Sequence, residues 1–197
     1  AFAAPAAPNP WATLRAVRES LAAQGPLEAD FTQTFLPQGF TTGETERGSL
    51  ALALPDCLRW DYREPYAKSF LICGGTAWAW NAEDRTGRRF SLDRRSEPGL
   101  DLLLLATGDL EKRYQASARE LDGGGIEVTL IPTGSTGKNG PVKDAKLVTD
   151  AAKKRLIQVS YRDAEGNQTR FDLSSYRDLP KRGRFAAPEG ITWEDGQ

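Results

Sequence analysis

Ser135 and Lys138 stand at the spacing of a serine nucleophile with a lysine base. That motif needs a helix start to place both side chains on one face, whereas here it lies in a glycine-rich loop. The run from Gly134 to Lys138 also lacks the four-residue spacer of a phosphate-binding Walker A loop. We therefore predict no serine catalysis and no nucleotide site in this loop.

The 197 residues include no histidine. This excludes Ser-His-Asp and Cys-His catalysis and histidine-ligated zinc or haem. Two cysteines alone cannot build a zinc site, and Cys57 and Cys73 lack the C-x-x-C spacing of a redox pair. Carboxylates such as Asp61 and Asp93 are interpreted as surface charges. We predict no catalytic residue, no metal and no cofactor, and hence no enzyme.

The formal net charge of −1 lacks the basic excess that nucleic acid requires, so no nucleic-acid partner is expected. The longest apolar run, Leu102–Ala106, is far short of the roughly 20 residues of a membrane span. Ala1-Phe2-Ala3 fits the A-x-A pattern at the end of a secretory signal, and a flexible Ala/Pro extension is the alternative. We predict a disordered tail over 1–8, left after signal cleavage, and one domain over 9–197.

A hairpin is predicted around the loop Arg63–Ala67, between Cys57–Tyr62 and Lys68–Cys73. A loop centred on Pro65 pairs Cys57 with Cys73, Leu58 with Ile72 and Trp60 with Phe70. The facing cysteines are either a disulfide or two small buried side chains. In an exported protein the disulfide is favoured.

The spacing of apolar residues along the chain predicts the helices and strands that carry these residues. Asn9 and Pro10 begin an amphipathic helix that Gly25-Pro26 ends. A second, leucine-rich helix is predicted from Pro98 to Gly108, with Asp109 capping a short piece through Tyr114. Two-residue alternation predicts strands at Leu27–Phe35, Leu50–Leu54, Cys57–Tyr62, Lys68–Cys73, Thr76–Trp80, Arg88–Leu92, Tyr114–Glu120, Ile126–Ile131, Ala145–Thr149, Arg155–Arg162 and Gln168–Leu173. The fold class is mainly β (α+β) with antiparallel strands, and strands curved around an apolar helix suit an apolar ligand.

Several motifs occur in an order that resembles the LolA family of periplasmic outer-membrane lipoprotein carriers. They are Phe31-Thr32-Gln33, Gly48-Ser49-Leu50, the stretch Leu54–Tyr62, Pro65, Gly74, Trp78, Arg184-Phe185 and Pro188–Ile191. The similarity spans nearly all of the chain from the first helix onward. It departs from the family at Leu54, where an arginine that resembles a latch to the lid is typical, and at Cys73-Gly74, where Asp-Gly is common.

The resemblance implies an open, incompletely closed antiparallel β-barrel with a helical lid, which carries acyl chains across the periplasm. The cavity residues implied are Leu50, Leu52, Leu54, Leu58, Trp60, Phe70 and Ile72. Those of the lid are Leu102, Leu103 and Leu105. The alternative for these positions is the ordinary core of a closed barrel.

The partners implied are a lipidated protein or lipid, an inner-membrane exporter and an outer-membrane acceptor, with the carrier itself a monomer. Because Leu54 replaces a polar latch with apolar surface, two alternatives stay open. One is a carrier for a non-lipoprotein lipid such as an aryl polyene or glycolipid precursor. The other is a lipoprotein-sensing or interaction module without transport.

Overall fold

The computed structural model describes residues 6–92, 99–134, 140–180 and 182–196. The Ser135/Lys138 pair, Asp93 and residues 1–5 of the predicted tail lie outside these ranges. Helix α1 (Pro10–Gln24) begins as predicted, because the Asn9 side chain accepts a hydrogen bond from the Ala12 N–H at 2.9 Å. It buries Leu14, Val17 and Leu21 on one face.

Twelve strands form one continuous sheet in the part of the chain that the structure describes. They are β1 (Leu27–Leu36), β2 (Glu44–Ala53), β3 (Cys57–Glu64), β4 (Lys68–Cys73), β5 (Thr76–Asn81), β6 (Thr86–Ser91), β7 (Tyr114–Glu120), β8 (Ile126–Pro132), β9 (Val142–Thr149), β10 (Leu156–Asp163), β11 (Gln168–Asp178) and β12 (Thr192–Asp195). Their spatial order is β12-β6-β5-β4-β3-β2-β1-β11-β10-β9-β8-β7. Strands β12 and β7 are the two edges, so the sheet is not closed, which confirms the predicted open antiparallel architecture.

One strand departs from that prediction. β12 was not predicted, and it pairs with β6 in parallel, with Trp193 beside Gly87. A four-residue segment in which only Trp193 is partly buried carries too little alternation to be recognised as a strand. A short 3₁₀ turn, Arg182–Phe185, precedes it.

The leucine-rich segment forms two short helices, α2 (Leu100–Leu103) and α3 (Thr107–Arg113). Two helical pieces were predicted, but the break was expected at Gly108 with Asp109 as the cap, whereas it lies at residues 104–106. The backbone breaks between them, with Leu105 at φ 49°. Leu102, Leu103, Leu104 and Leu105 are all buried. A straight helix would leave one side of this run exposed, so the break lets every leucine face the core.

The sheet has two different faces, which we call inner and outer. The inner face carries Leu50, Leu58 and Trp60 and packs with α1, α2 and α3 into the main core. The outer face carries Arg59, Leu71 and Trp80, as the register of β3 with β4 and of β4 with β5 requires. Leu71 and Trp80 are buried outside the main core.

The carboxyl-terminal segment covers this part of the outer face. The Trp193 ring reaches across Gly87 to the Trp80 ring, with centroids 6.1 Å apart. The Arg59 guanidinium lies on the same outer face, 5.0 Å from the Trp80 ring centroid. Arg184 contacts Asp61 on β3 at 2.9 Å and Glu28 on β1 at 3.3 Å. The sheet is therefore covered on both faces where β3, β4 and β5 lie.

Candidate ligand-binding cavity

A cavity of about 310 Å³ lies between the inner face of the sheet and helix α2. Its wall is mainly apolar and aromatic. The principal lining side chains are Gln33, Trp60, Tyr62, Phe70, Ile72, Ala77, Phe90, Leu92, Leu100, Leu103, Tyr161 and Phe171. A mostly apolar hollow with a few polar groups is the usual form of a small-molecule site.

Four of the residues predicted for the cavity and its lid lie together here. Trp60, Phe70 and Ile72 form the wall on β3 and β4, and Leu103 closes it from α2. The register of this hairpin is the predicted one, with Trp60 opposite Phe70 and Leu58 opposite Ile72.

The other predicted residues are placed elsewhere. Leu50, Leu52 and Leu58 are fully or almost fully buried in the main core, because α1 to α3 cover that part of the inner face. Leu102 and Leu105 are buried in the same core. The sheet face that carries all these side chains is thus divided into a filled part and a hollow part.

Leu54 follows the end of β2 instead of lying within a strand, and it packs against the main core. The neighbouring Pro55 and Asp56 share a shallow pocket with Leu104 and Ala106 of the α2–α3 connection. The chain after β2 and the α2–α3 connection therefore border the same pocket. Leu54, next to Pro55 in the chain, stands where an arginine is typical of the resembling family.

Sequence reasoning missed Gln33, Tyr62, Tyr161 and Phe171. Gln33 and Tyr62 could have been found from two-residue alternation. Gln33 stands two residues from the apolar Phe31 in the predicted strand Leu27–Phe35, and Tyr62 stands two residues from Trp60, which was predicted to line the cavity. Tyr161 and Phe171 could not, since they reach the cavity through the pairing of β1 with β11 and of β11 with β10. The pairing of β1 with β11 joins segments that are far apart in the chain.

Gly48 lets aromatic rings meet beneath the cavity. Phe31 on β1 and Tyr62 on β3 flank Gly48 on β2, and their rings make an edge-to-face contact at 4.9 Å. A Cβ at Gly48 would lie 2.0 Å from the Asp61 carbonyl oxygen, so no larger residue fits. Tyr62 also contacts the Phe70 ring at 5.9 Å, and Tyr62 and Phe70 together form one side of the wall.

The Tyr62 hydroxyl donates a hydrogen bond to the Gln33 side-chain oxygen at 2.5 Å. The Lys68 ammonium lies 4.5 Å from the centroid of the same ring and pairs with Glu46 at 2.6 Å. Burial raises the pKa of the Tyr62 phenol, and the Glu46 carboxylate raises it further. The hydroxyl therefore stays protonated and acts as a donor throughout the neutral range.

Helix α2 is held against the sheet at its start. Gly99 adopts φ 82°, and a Cβ there would lie 2.3 Å from the Tyr161 ring. Arg113 of α3 donates a hydrogen bond to Asp101 of α2, and its guanidinium also lies 5.6 Å from the Tyr114 ring. The two short helices are thus tied to each other and to β10, and together they form the cover over the cavity.

Cys57 and Cys73 are joined by a disulfide, with an S–S distance of 2.10 Å. They lie on the same strand face as Arg59 and Leu71, which is the outer face. The bond therefore closes the β3–β4 hairpin on the side away from the cavity, and its covalent chemistry does not reach the lining.

The described residues hold no group of histidine, cysteine, aspartate or glutamate side chains that could bind a metal ion. None of the helices within the described ranges is both long and apolar enough to span a bilayer.

An open, curved antiparallel sheet with an apolar cavity beneath a helical cover defines the class of protein. The family model described as outer membrane lipoprotein carrier protein LolA matches residues 25–185, and the chain belongs to this family. Its members are non-enzymatic periplasmic carriers, in agreement with the predictions of export and of no enzymatic activity.

Curated relatives agree with the family. An outer-membrane lipoprotein carrier protein from Methylococcus capsulatus is 26% identical over 96% of this chain and 89% of its own length. A protein of the same description from Chromobacterium violaceum is also 26% identical, over 96% of this chain and 89% of its own length. Among solved structures, an uncharacterised conserved protein from Thermus thermophilus covers 94% of this chain and 98% of its own, at a TM-score of 0.58 and 10% identity. That last likeness concerns the fold alone.

Proposed function

We propose that the protein is a periplasmic carrier that binds the acyl chains of a lipidated protein in this cavity and moves them towards the outer membrane. The observation that carries the proposal is the hollow between β3–β6 and α2, lined by aromatic and aliphatic side chains, in a chain of the LolA family. No covalent step is involved, because burial of the chain is sufficient to shield it from water.

The energetics suit reversible binding. Each methylene that leaves water contributes about 0.8 kcal/mol, so a partly buried chain binds firmly and can still be released. The volume of about 310 Å³ is roughly twice that of a cavity that holds benzene. It accommodates part of one chain, and a longer or second chain requires α2 and the α2–α3 connection to shift.

A charge in the cavity wall tests the proposal. Phe70 is half-buried and lines the cavity, so Phe70→Glu is expected to leave the fold intact while placing a carboxylate among apolar groups. We expect uptake of a fluorescent fatty acid and of a synthetic diacyl lipopeptide to weaken at least tenfold. Ile157→Glu is the matched control, because Ile157 is 42% exposed and lies outside the cavity lining. Equal binding by the two variants would remove the cavity from the proposal.

The cargo and the direction of transfer need a second experiment, native mass spectrometry of the protein purified from its own periplasm. A di- or triacylated lipopeptide supports lipoprotein transport by way of an inner-membrane exporter and an outer-membrane acceptor. A pigment-like or glycolipid species supports a carrier for another lipid. Binding without transfer to acceptor vesicles supports a sensing module instead.

A further inference from the structure

The inner face of β4, β5 and β6 changes from apolar to polar along the length of the strands. Two-residue alternation places three side chains of each strand on this face. Those that line the cavity near α2 are Ile72, Ala77 and Phe90. Those at the other end of the same three strands are Lys68, Asn81 and Thr86.

The middle positions connect the two regions. Strand pairing aligns Phe70, Ala79 and Arg88 in one row across β4, β5 and β6. Residues directly opposite each other in a sheet point to the same side, so the Arg88 side chain lies on the inner face. Glu194 of β12 continues this row, because it pairs with Arg88.

A second pocket, which we call the polar pocket, adjoins the cavity on this face. Among the residues that line it are Lys68, Ala79, Asn81, Thr86, Arg88 and Glu194. Phe70 lines both the cavity and the polar pocket. Arg88 stands two residues from Phe90, or about 7 Å along β6, a distance that a glycerol phosphate group can span.

The polar pocket offers mainly hydrogen-bond donors. The Arg88 guanidinium is exposed, and it forms no ion pair with any other residue that the structure describes. The Lys68 ammonium pairs with Glu46 at 2.6 Å, yet its side chain is 39% exposed. Both groups can only donate, and the Asn81 amide and the Thr86 hydroxyl can donate beside them.

This set of donors suits an anionic group. An arginine fork holds a phosphate or a carboxylate through two parallel hydrogen bonds, which are stronger than those between neutral groups. Glu194 supplies the opposing charge in the described lining, at the edge of the sheet. Its removal should therefore strengthen the binding of an anion, whereas removal of Arg88 should weaken it.

We propose that the polar pocket binds the anionic head group of an amphiphilic ligand whose apolar tail lies in the cavity. The inference rests on the proposed function for the tail and adds the chemistry of the head. The ligand is a lipid or lipopeptide with a phosphate or carboxylate group close to its chain. Burial of the tail alone gives no preference for such a charge.

The test compares a monoacylglycerol with the monoacylglycerol phosphate of the same chain, each below its critical micelle concentration. We expect the phosphate to bind about tenfold more tightly, the gain of one charge-assisted hydrogen-bond pair. Glycerol phosphate without a chain separates a lipid head group from a small soluble anion. It should bind far more weakly than the lipid, because it cannot use the cavity.

Two neighbouring arginines provide a matched pair of variants. Arg88→Gln is expected to reduce the phosphate-to-neutral affinity ratio about fivefold or more. Arg89→Gln removes the same charge one residue away, but Arg89 pairs with Asp195 of β12 at 2.8 Å, outside both pockets. This control should leave the ratio unchanged. Glu194→Gln should raise it.

Salt gives an independent readout on the unchanged protein. Raising the ionic strength from about 0.1 M to about 1 M shortens the screening length from about 10 Å to about 3 Å. The preference for the phosphate should then fall towards one, while the affinity for the neutral monoacylglycerol is not reduced.

The possible results separate the two proposals. A ratio of one in the unchanged protein, or equal ratios in Arg88→Gln and Arg89→Gln, overturns the polar pocket as a head-group site while the carrier proposal stands. Glycerol phosphate that binds as tightly as the lipid also overturns it, since the tail then contributes nothing. Failure of the folded protein to bind the neutral monoacylglycerol overturns the carrier proposal itself.

Discussion

Tyr62 combines three roles at the level of a single residue. Its ring packs edge-to-face on Phe31 across Gly48, its hydroxyl donates to Gln33, and its face receives the Lys68 ammonium. Burial among these groups raises the pKa of its phenol. The folded protein therefore favours neutral Tyr62 more strongly than the unfolded chain does.

Tyr62→Phe is expected to show this in the pH dependence of stability. Near neutral pH the variant should lose about 1 kcal/mol, the worth of the hydrogen bond to Gln33. A pKa raised by folding contributes stability that is complete below the unfolded pKa of about 10 and is lost as pH rises through the folded pKa. Between the unfolded pKa and the higher folded pKa, the wild-type protein should therefore lose about 1.4 kcal/mol of unfolding free energy per pH unit relative to the variant.

Urea unfolding at about pH 7 and at about pH 11 measures the difference. Burial raises the pKa of Tyr176 too, but that tyrosine is present in both proteins and cancels. A stability difference that stays constant over this range would show that Tyr62 is not titrated by unfolding.

At the level of elements, the cover over the cavity depends on the way α2 begins. Gly99 stands where a positive φ and the Tyr161 ring both require glycine. Four residues of α2 cannot form a stable helix alone, so contacts to the sheet and to α3 hold it in place. Asp101 with Arg113 is the contact between the two helices.

Gly99→Ala is expected to displace α2 from Tyr161 and to lower the free energy of unfolding by about 1–3 kcal/mol. The accompanying shift of Leu100 and Leu103 should change the affinity for a fluorescent fatty acid. Gly108→Ala is the matched control in α3, because a Cβ there meets nothing within 4 Å. Since alanine favours a helix, this control should keep or raise stability, as chemical denaturation can show. Indistinguishable behaviour of the two variants would refute the role of Gly99.

At the level of the whole molecule, the sheet separates two tasks. Its inner face carries the core and the cavity, whereas its outer face is closed by the carboxyl-terminal segment through Arg184 and Trp193. The disulfide lies on the outer face as well. Stability contributed by the outer face is therefore expected to be independent of ligand binding.

Trp193→Ala should lower the free energy of unfolding by about 1–3 kcal/mol, because it uncovers Gly87 and the edge of Trp80. The affinity for acyl ligands should stay within about twofold, since no residue of β12 lines the cavity. Thermal unfolding together with a lipid-binding titration checks both parts. A large loss of affinity in a folded variant would mean that the two faces are coupled.

Local chemistry explains why several features were predictable from the sequence by itself. The Asn9 cap and Pro10 begin α1, and a hairpin loop centred on Pro65 places Cys57 opposite Cys73. Alternation identified the strands β1 to β11, although β2 and β11 extend beyond their predicted ends. These features depend on residues close together in the chain, where backbone geometry leaves few choices.

Tertiary structure decided which inward side chains bound a cavity and which fill a core. Leu58 and Trp60 are two residues apart on β3 and lie on the same face of the sheet. Helices α1 to α3 nevertheless cover Leu58 and leave space beside Trp60. Alternation reports only which face a side chain occupies, and the element that covers that face comes from elsewhere in the chain. The break at Leu105, the parallel pairing of β12 and the approach of Tyr161 likewise arise from packing between distant segments.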